Sequence, residues 1–316
     1  MTFAPARGSC DLVGVMMVSN RGSVLRLLAW QWRSVAVFIL SASVVYGLRV
    51  TLLPQIAIPQ LPLAVVGGAL GIFVSFRTNS AYARWWEGRQ LWGRLVNASR
   101  MLGSQALVYL PAEGEGRELA ERVVRRHIAY VHTLRVLLRV QTLGTDEDLR
   151  ASLPAAELDG LAHETSPTHA LVHANLSDVA EAHRRGMIGE SALLALDETL
   201  RVVLDVQGGC ERIKKTPLPR GYAFIAERLI WAFSALFPLA TVKELGVWVI
   251  PVNVLVCLAF TLISEAGRVL EDPFTMFWNG LPLTALSKTI EANLRQRLGD
   301  ADLPAIPSPD DRGILM

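Results

Sequence analysis

The sequence predicts an all-α membrane protein with four apolar spans and a large helical part outside the bilayer. Three observations predict it. The 316 residues are 51% hydrophobic and 19% charged, with a mean hydropathy of +0.33. That is too apolar for an ordinary soluble domain and too charged for a chain held wholly in lipid. Uncharged runs of spanning length occur at Val50–Phe76 (27 residues) and Leu245–Ser264 (20 residues), and about 20 apolar residues cross a bilayer. Between Arg77 and Arg220 no apolar run is long enough, and helical periodicity takes over.

The first 20 residues look irregular, Met16 or Met17 could be the natural start, and no signal-peptide pattern stands out. Arg21, Arg26 and Arg33 with Trp30 and Trp32 precede the first apolar run, which marks a cytoplasmic interface over residues 1–33. Ser34–Leu53 is the first span, with Arg49 near its far end, where a long side chain snorkels to the headgroups. Pro54, Pro59 and Pro62 break the helix, so the second span starts near Leu61 and runs to Phe76. It carries Gly67, Gly71 and Ser75 at four-residue spacing, a small-residue face for close helix packing. One position round lies a parallel row, Gly68, Ile72 and Phe76. That row reads either as the lining of a pore or as ordinary helix packing. The charges then begin with a polar-aromatic block, in which Arg84, Trp85, Trp86 and Trp92 suggest an interfacial collar.

Residues 77–220 form a helical region. Leu119, Val123, Val124, Ile128, Val131, Leu134 and Leu138 keep three- and four-residue steps, while Arg122, Arg125, Arg126, Arg135 and Arg139 occupy other faces. This is an amphipathic helix of a soluble bundle. A loop with Asp146, Glu147 and Asp148 follows, then helices over about Thr168–Arg185 and Ser191–Arg212, punctuated by Gly186 and Gly189. The third span is Ala223–Val242, Lys243 and Glu244 form a short outer turn, and Leu245–Ser264 is the fourth. The two span pairs thus occupy residues 34–76 and 221–264, and residues 265–316 form a polar C-terminal segment with a loose last ten residues. Arginine is abundant beside the inner ends and scarce in both outer turns, which puts both termini and the middle region in the cytoplasm of a multi-pass cell-membrane protein.

A net charge of +2 gives no case for nucleic acid, and Cys10, Cys210 and Cys257 are too dispersed for a disulfide framework. His169 and His173 share a helix face but lack the further ligand a zinc site needs, and HExxH is absent. GxSxG, GxxxxGK[ST] and GxGxxG are absent as well, so the sequence predicts no enzyme, no metal and no cofactor.

Three motifs are specific enough for a family. FRTNSAYARWWEGRQLWG (Phe76–Gly93), PLPRGYAFIAERLIWAF (Pro217–Phe233) and LISEAGRVLEDPFTMFWNGLPL (Leu262–Leu283) resemble, in order, the bestrophin signatures. The resemblance runs from Met17 to about Arg297 and is strongest to the short bacterial branch. It implies a homopentamer around a central pore, with four membrane helices and a cytosolic helical bundle in each subunit. Its partners would be identical subunits, membrane lipid and small monovalent ions. The family register puts a hydrophobic neck at Gly68, Ile72 and Phe76. Gly68 departs from the bulky residue usual at the outermost level, which leaves Ile72 and Phe76 as the tighter pair. The resemblance also implies a cytosolic aperture on the helix preceding Cys210, where the register suggests Leu194. Animal members bind calcium through acidic residues after the Pro-Phe element, whereas TMFWNGLPL after Pro273-Phe274 has no carboxylate. The resemblance implies chloride or other small anions as the conducted species, with a sodium-selective channel as the alternative. A secondary transporter would need an inverted repeat and broken helices, which the sequence lacks. A membrane-anchored interaction protein is the remaining class.

Overall fold

The structure, a computed structural model, describes residues 29–309 and 315, apart from 53, 56, 57, 59 and 278. The expected start at Met16 or Met17, Arg21, Arg26, Cys10 and the tail from Asp310 to Arg312 lie outside the described residues. Among the described residues the elements are helical throughout: α1 (Trp32–Thr51), α2 (Gln60–Tyr109), α3 (Gly114–Leu138), α4 (Glu147–Ser152), α5 (Ala155–Ala162), α6 (Pro167–Arg184), α7 (Glu190–Lys215), α8 (Arg220–Leu245), α9 (Val249–Leu270) and α10 (Leu283–Leu298). The chain forms two compact units. Among the described residues, one comprises 29–85 with Pro217–Asp272, and the other Trp86–Thr216 with the residues from Pro273 on.

The first unit holds α1, the start of α2, α8 and α9. The proline run ends α1 at Thr51 and α2 begins at Gln60, with Pro62 in its first turn, where a missing N–H costs nothing. The core gathers Phe38, Leu63, Leu70, Val74, Ala226, Ile230, Phe233, Ala240 and Cys257. Polar side chains stitch these helices together. Asn253, fully buried, donates from Nδ2 to the carbonyl of Phe38 (2.8 Å) and to Ser41 Oγ (3.2 Å). Pro238 has no N–H for the carbonyl four residues back in α8, and the Ser41 hydroxyl donates to that carbonyl, Ser234 O, at 3.2 Å. Much of the remaining surface is apolar and exposed, including Leu40, Val44, Phe224, Leu229 and Leu255. Three stretches, Trp32–Thr51, Pro62–Tyr109 and Phe224–Leu270, are long and apolar enough to cross a membrane, the last covering both α8 and α9. Only 17–22% of their most apolar windows is buried. Such a surface requires lipid or further protein.

The turn between α8 and α9 differs from the Lys243–Glu244 expectation. Helix α8 runs on to Leu245, and a 3₁₀ turn at Gly246–Trp248 reverses the chain. Gly246 has φ +53° and ψ −130°, a conformation open to glycine but costly for any side chain. Backbone geometry, and not the charged pair, sets the turn.

In the second unit α3 is the central helix. All seven periodic apolar positions from Leu119 to Leu138 are buried. The arginines do not all face water as the periodicity suggested. Arg135 is 4% exposed, and its Nη2 donates to both oxygens of Asp146 (2.7 and 2.8 Å) and to Asp148 (3.2 Å). The acidic loop is therefore the counter-charge of a buried arginine, and Asp146 also caps α4 by accepting from Leu149 N–H at 3.0 Å. Gly186 (φ +72°) ends α6 as anticipated. Helix α10 rises from a segment read only as polar, and it packs Ile290, Leu294 and Leu298 inward.

Candidate functional site

The start of α2 presents two faces. On one, a Cβ added at Gly67 would lie 3.0 and 3.3 Å from the Phe233 ring, and one at Gly71 would lie 3.7 Å from Phe260. Phe233 and Phe260 themselves meet edge to face, with centroids 5.7 Å apart, across the α8–α9 hairpin. The small residues thus seat α2 against aromatic rings of its own chain. Of the three small residues, Gly67 and Gly71 are thus taken up within the chain, and Ser75 is exposed.

The other face carries the row found by spacing. Gly68 has nothing within 4 Å of an added Cβ, Ile72 is 61% exposed and Phe76 is 70% exposed. Val65, at 68%, extends the apolar strip at its N-terminal end. The strip turns polar at Ser80, whose hydroxyl donates back to the Phe76 carbonyl at 2.9 Å. Large apolar side chains one helical turn apart, unburied by their own chain, face either lipid or another protein element.

Directly after Phe76 the polar block fastens α2 to the end of α9. Arg77, 6% exposed, donates from Nη1 to Ser264 Oγ at 2.9 Å. Thr78 Oγ1 donates to the Ile263 carbonyl at 3.1 Å, and a Cβ on Gly267 would meet the Thr78 Cα at 3.2 Å. Arg84 Nε donates to the Glu271 carbonyl at 3.2 Å. Sequence reasoning had no signal for these partners, since helix-to-helix hydrogen bonds join residues about 187 apart. The collar residues fare differently from one another. Trp85 stacks on Tyr82 at 6.1 Å, and Trp86 is 47% exposed. Trp92 is fully buried in the second unit beside Leu91 and Leu95, so it is a core residue and not an interfacial one.

Leu194 lies in the second turn of α7 and is 60% exposed. Asp197, Glu198 and Arg201 follow on the same exposed side, and Arg201 and Glu198 pair at 2.6 Å. His169 and His173 are both exposed, with ring centroids 6.3 Å apart. Among the described residues one group, His132, Asp146 and Asp148, brings potential metal ligands within 4.8 Å of one another. Its carboxylates are already engaged by Arg135 and Lys288. Burial pushes the Asp148 carboxyl up, but the Lys288 hydrogen bond and the charges of His132, Lys288 and Arg135 together hold it below its ordinary value.

Residues 7–296 match the family model of the bacterial/fungal bestrophin protein. The chain is 34% identical over 249 residues to the voltage-dependent anion channel-forming protein YneE of Escherichia coli K12, covering 79% of this chain and 80% of that one. It is 34% identical over 291 residues to the voltage-dependent anion channel-forming protein RSc3414 of Ralstonia nicotianae, covering 91% and 92%. Among solved structures, the crystal structure of a bacterial bestrophin homolog from Klebsiella pneumoniae superposes with a TM-score of 0.78 at 29% identity, over 89% of this chain and 100% of that one. The polar clasp after Phe76, the apolar helices and these matches over nearly the whole length agree: the chain is an all-helical membrane protein of the bacterial/fungal bestrophin family.

Proposed function

We propose that five copies of the chain assemble around one axis and conduct small monovalent anions passively across the cell membrane. The observation that carries this reading is the exposed strip Gly68–Ile72–Phe76. One protomer has no use for it and encloses no bore with it. Copies arranged about an axis would turn it into stacked apolar rings, with Ile72 and Phe76 tightest. Such a neck resists ions because a narrow apolar bore dewets, and an ion entering it loses hydration without gaining a partner. Leu194, exposed on α7, supports a second constriction. Anion rather than sodium conduction is favoured by relatives whose names are those of anion channel-forming proteins. The neck itself has no charge to choose a sign, so vestibule charges would set it. Both termini would be cytoplasmic.

Cysteine substitution tests the reading. Ile72→Cys and Phe76→Cys channels should lose current when a charged thiol reagent is applied, while Val44→Cys, on the exposed side of α1, should not. Light scattering in detergent should give the mass of five chains. A monomer or dimer, or current indifferent to modification at both neck positions, would contradict the proposal.

A further inference from the structure

In the second unit, α3 and α10 meet along a face with two polar rungs. At one end Arg139 Nη1 donates to Thr284 Oγ1 at 2.7 Å. At the other, His132 Nε2 lies 3.0 Å from Glu291 Oε2. Arg135, 4% exposed, and Ser287, 0% exposed, fall between them by helical register. Buried atoms without a partner on these residues are Arg139 Nε and Nη2, Arg135 Nε, Ser287 Oγ and His132 Nδ1. The three arginine nitrogens can only donate, so what the interface lacks is an acceptor.

The two free nitrogens of Arg139 are informative. Nε and Nη2 are the pair whose parallel N–H bonds engage a planar oxyanion side-on. The chain's own acids do not serve them. Both oxygens of Asp146 are bound by Arg135, and Asp148 is bound by Lys288 and Arg135. Burial first, and then the charge of Arg135, push the Arg139 guanidinium down to about 10 against a smaller opposing pull from Asp146, as in a positive pocket short of negative charge. Thr284 is the second residue of the 16-residue helix α10, so the N–H groups of Thr284 and Ala285 at its start add to the same field, while Leu283 N–H is given to the Leu281 carbonyl. Arg139 and Thr284 lie at the half-buried end of this face, while Arg139 Nε and Nη2 are themselves closed off, so an anion reaches them only as neighbouring side chains move.

We propose that Arg139 and Thr284, backed by Arg135 and Ser287, form a binding site for one small monovalent oxyanion of the carboxylate class. The site is independent of the neck and of whether the protein conducts. Fluoroacetate provides a probe: its ¹⁹F signal should broaden saturably with the full-length protein in detergent, and formate should displace it. Chloride at equal concentration should displace it much less, since a sphere cannot bridge the fork as two oxygens do. Arg139→Lys keeps the charge but removes the fork, and should weaken binding at least tenfold. Thr284→Val, which retains shape and loses the hydroxyl that steadies the guanidinium, should weaken it several-fold and serves where the lysine variant fails to assemble. No saturable broadening with the unmodified protein, displacement by chloride as effective as by formate, or unchanged binding in the variants would overturn the proposal. Current recorded from the same preparations separates this outcome from the channel reading.

Discussion

Gly67 and Gly68 are chain neighbours on α2, and the structure assigns them opposite roles. A Cβ at Gly67 would come within 3.0 and 3.3 Å of the Phe233 ring, whereas one at Gly68 would meet nothing within 4 Å. Gly67→Leu therefore overpacks the contact with α8, at a cost of about 1–3 kcal/mol. Leaving glycine in a helix interior returns about 0.8–1 kcal/mol, so the net loss reaches about 2 kcal/mol. Gly68→Leu carries the propensity gain without the clash, and stability should hold or rise by up to about 1 kcal/mol. Its effect falls on the proposed bore, where one leucine per subunit completes a third apolar ring and should lower single-channel conductance. Thermal unfolding in detergent, light scattering and single-channel recording on both variants decide the matter. Equal destabilisation by the two substitutions, or unaltered conductance in a stable Gly68→Leu oligomer, would refute the division of α2 into an inward packing face and an axial face.

Three further outcomes follow from the same geometry. Ile72→Ala with Phe76→Ala should leave stability within about 1 kcal/mol per site, because both side chains are mostly exposed in the protomer; conductance should rise, whereas losses of about 2–5 kcal/mol per site would mark them as core. His127 is buried and donates from Nε2 to Ser99 Oγ at 2.8 Å, because the Ser99 proton is already given to the Leu95 carbonyl. Burial lowers its pKa from 6.5 to about 4. The unfolded chain then binds a proton near pH 6.5 that the folded one refuses until about pH 4, so stability present above pH 6.5 falls by about 3 kcal/mol towards pH 4. Denaturant titrations should reveal this slope in the parent and a flatter one in His127→Asn. Finally, the segment after Phe274 carries no carboxylate through Leu283. Currents should survive chelation of calcium, and currents that vanish with a chelator and return with micromolar calcium would contradict this.

The long apolar stretches and the exposed row of α2 could be read from the chain because lipid and helical geometry impose strong, local patterns. An uncharged run marks a span whatever it packs against, and four-residue spacing puts Gly68, Ile72 and Phe76 in line before any partner is known. The periodic apolar positions of α3 were legible for the same reason. What escaped depended on partners distant in sequence. The spacing of Gly67 and Gly71 announces a close approach but does not say that Phe233 and Phe260 make it. Trp92 stands among arginines and so reads as interfacial, yet Leu91 and Leu95 beside it belong to a core. Arg135 looks like a solvated charge until the chain turns back and sets Asp146 and Asp148 against it. The clasp of Arg77, Thr78 and Arg84 on α9 explains why a polar block follows a span directly: its donors meet the carbonyls and hydroxyl of a neighbouring helix.

Whether an assembly of this chain carries anions is read from its reversal potential. The purified protein would be incorporated in a planar bilayer with a sodium chloride gradient. The conductance should reverse close to the chloride equilibrium potential, with the same sign in the Ile72→Ala, Phe76→Ala variant. A conductance reversing near the sodium equilibrium potential would contradict anion selection, and a bilayer that stays silent with a verified pentamer would contradict the channel itself.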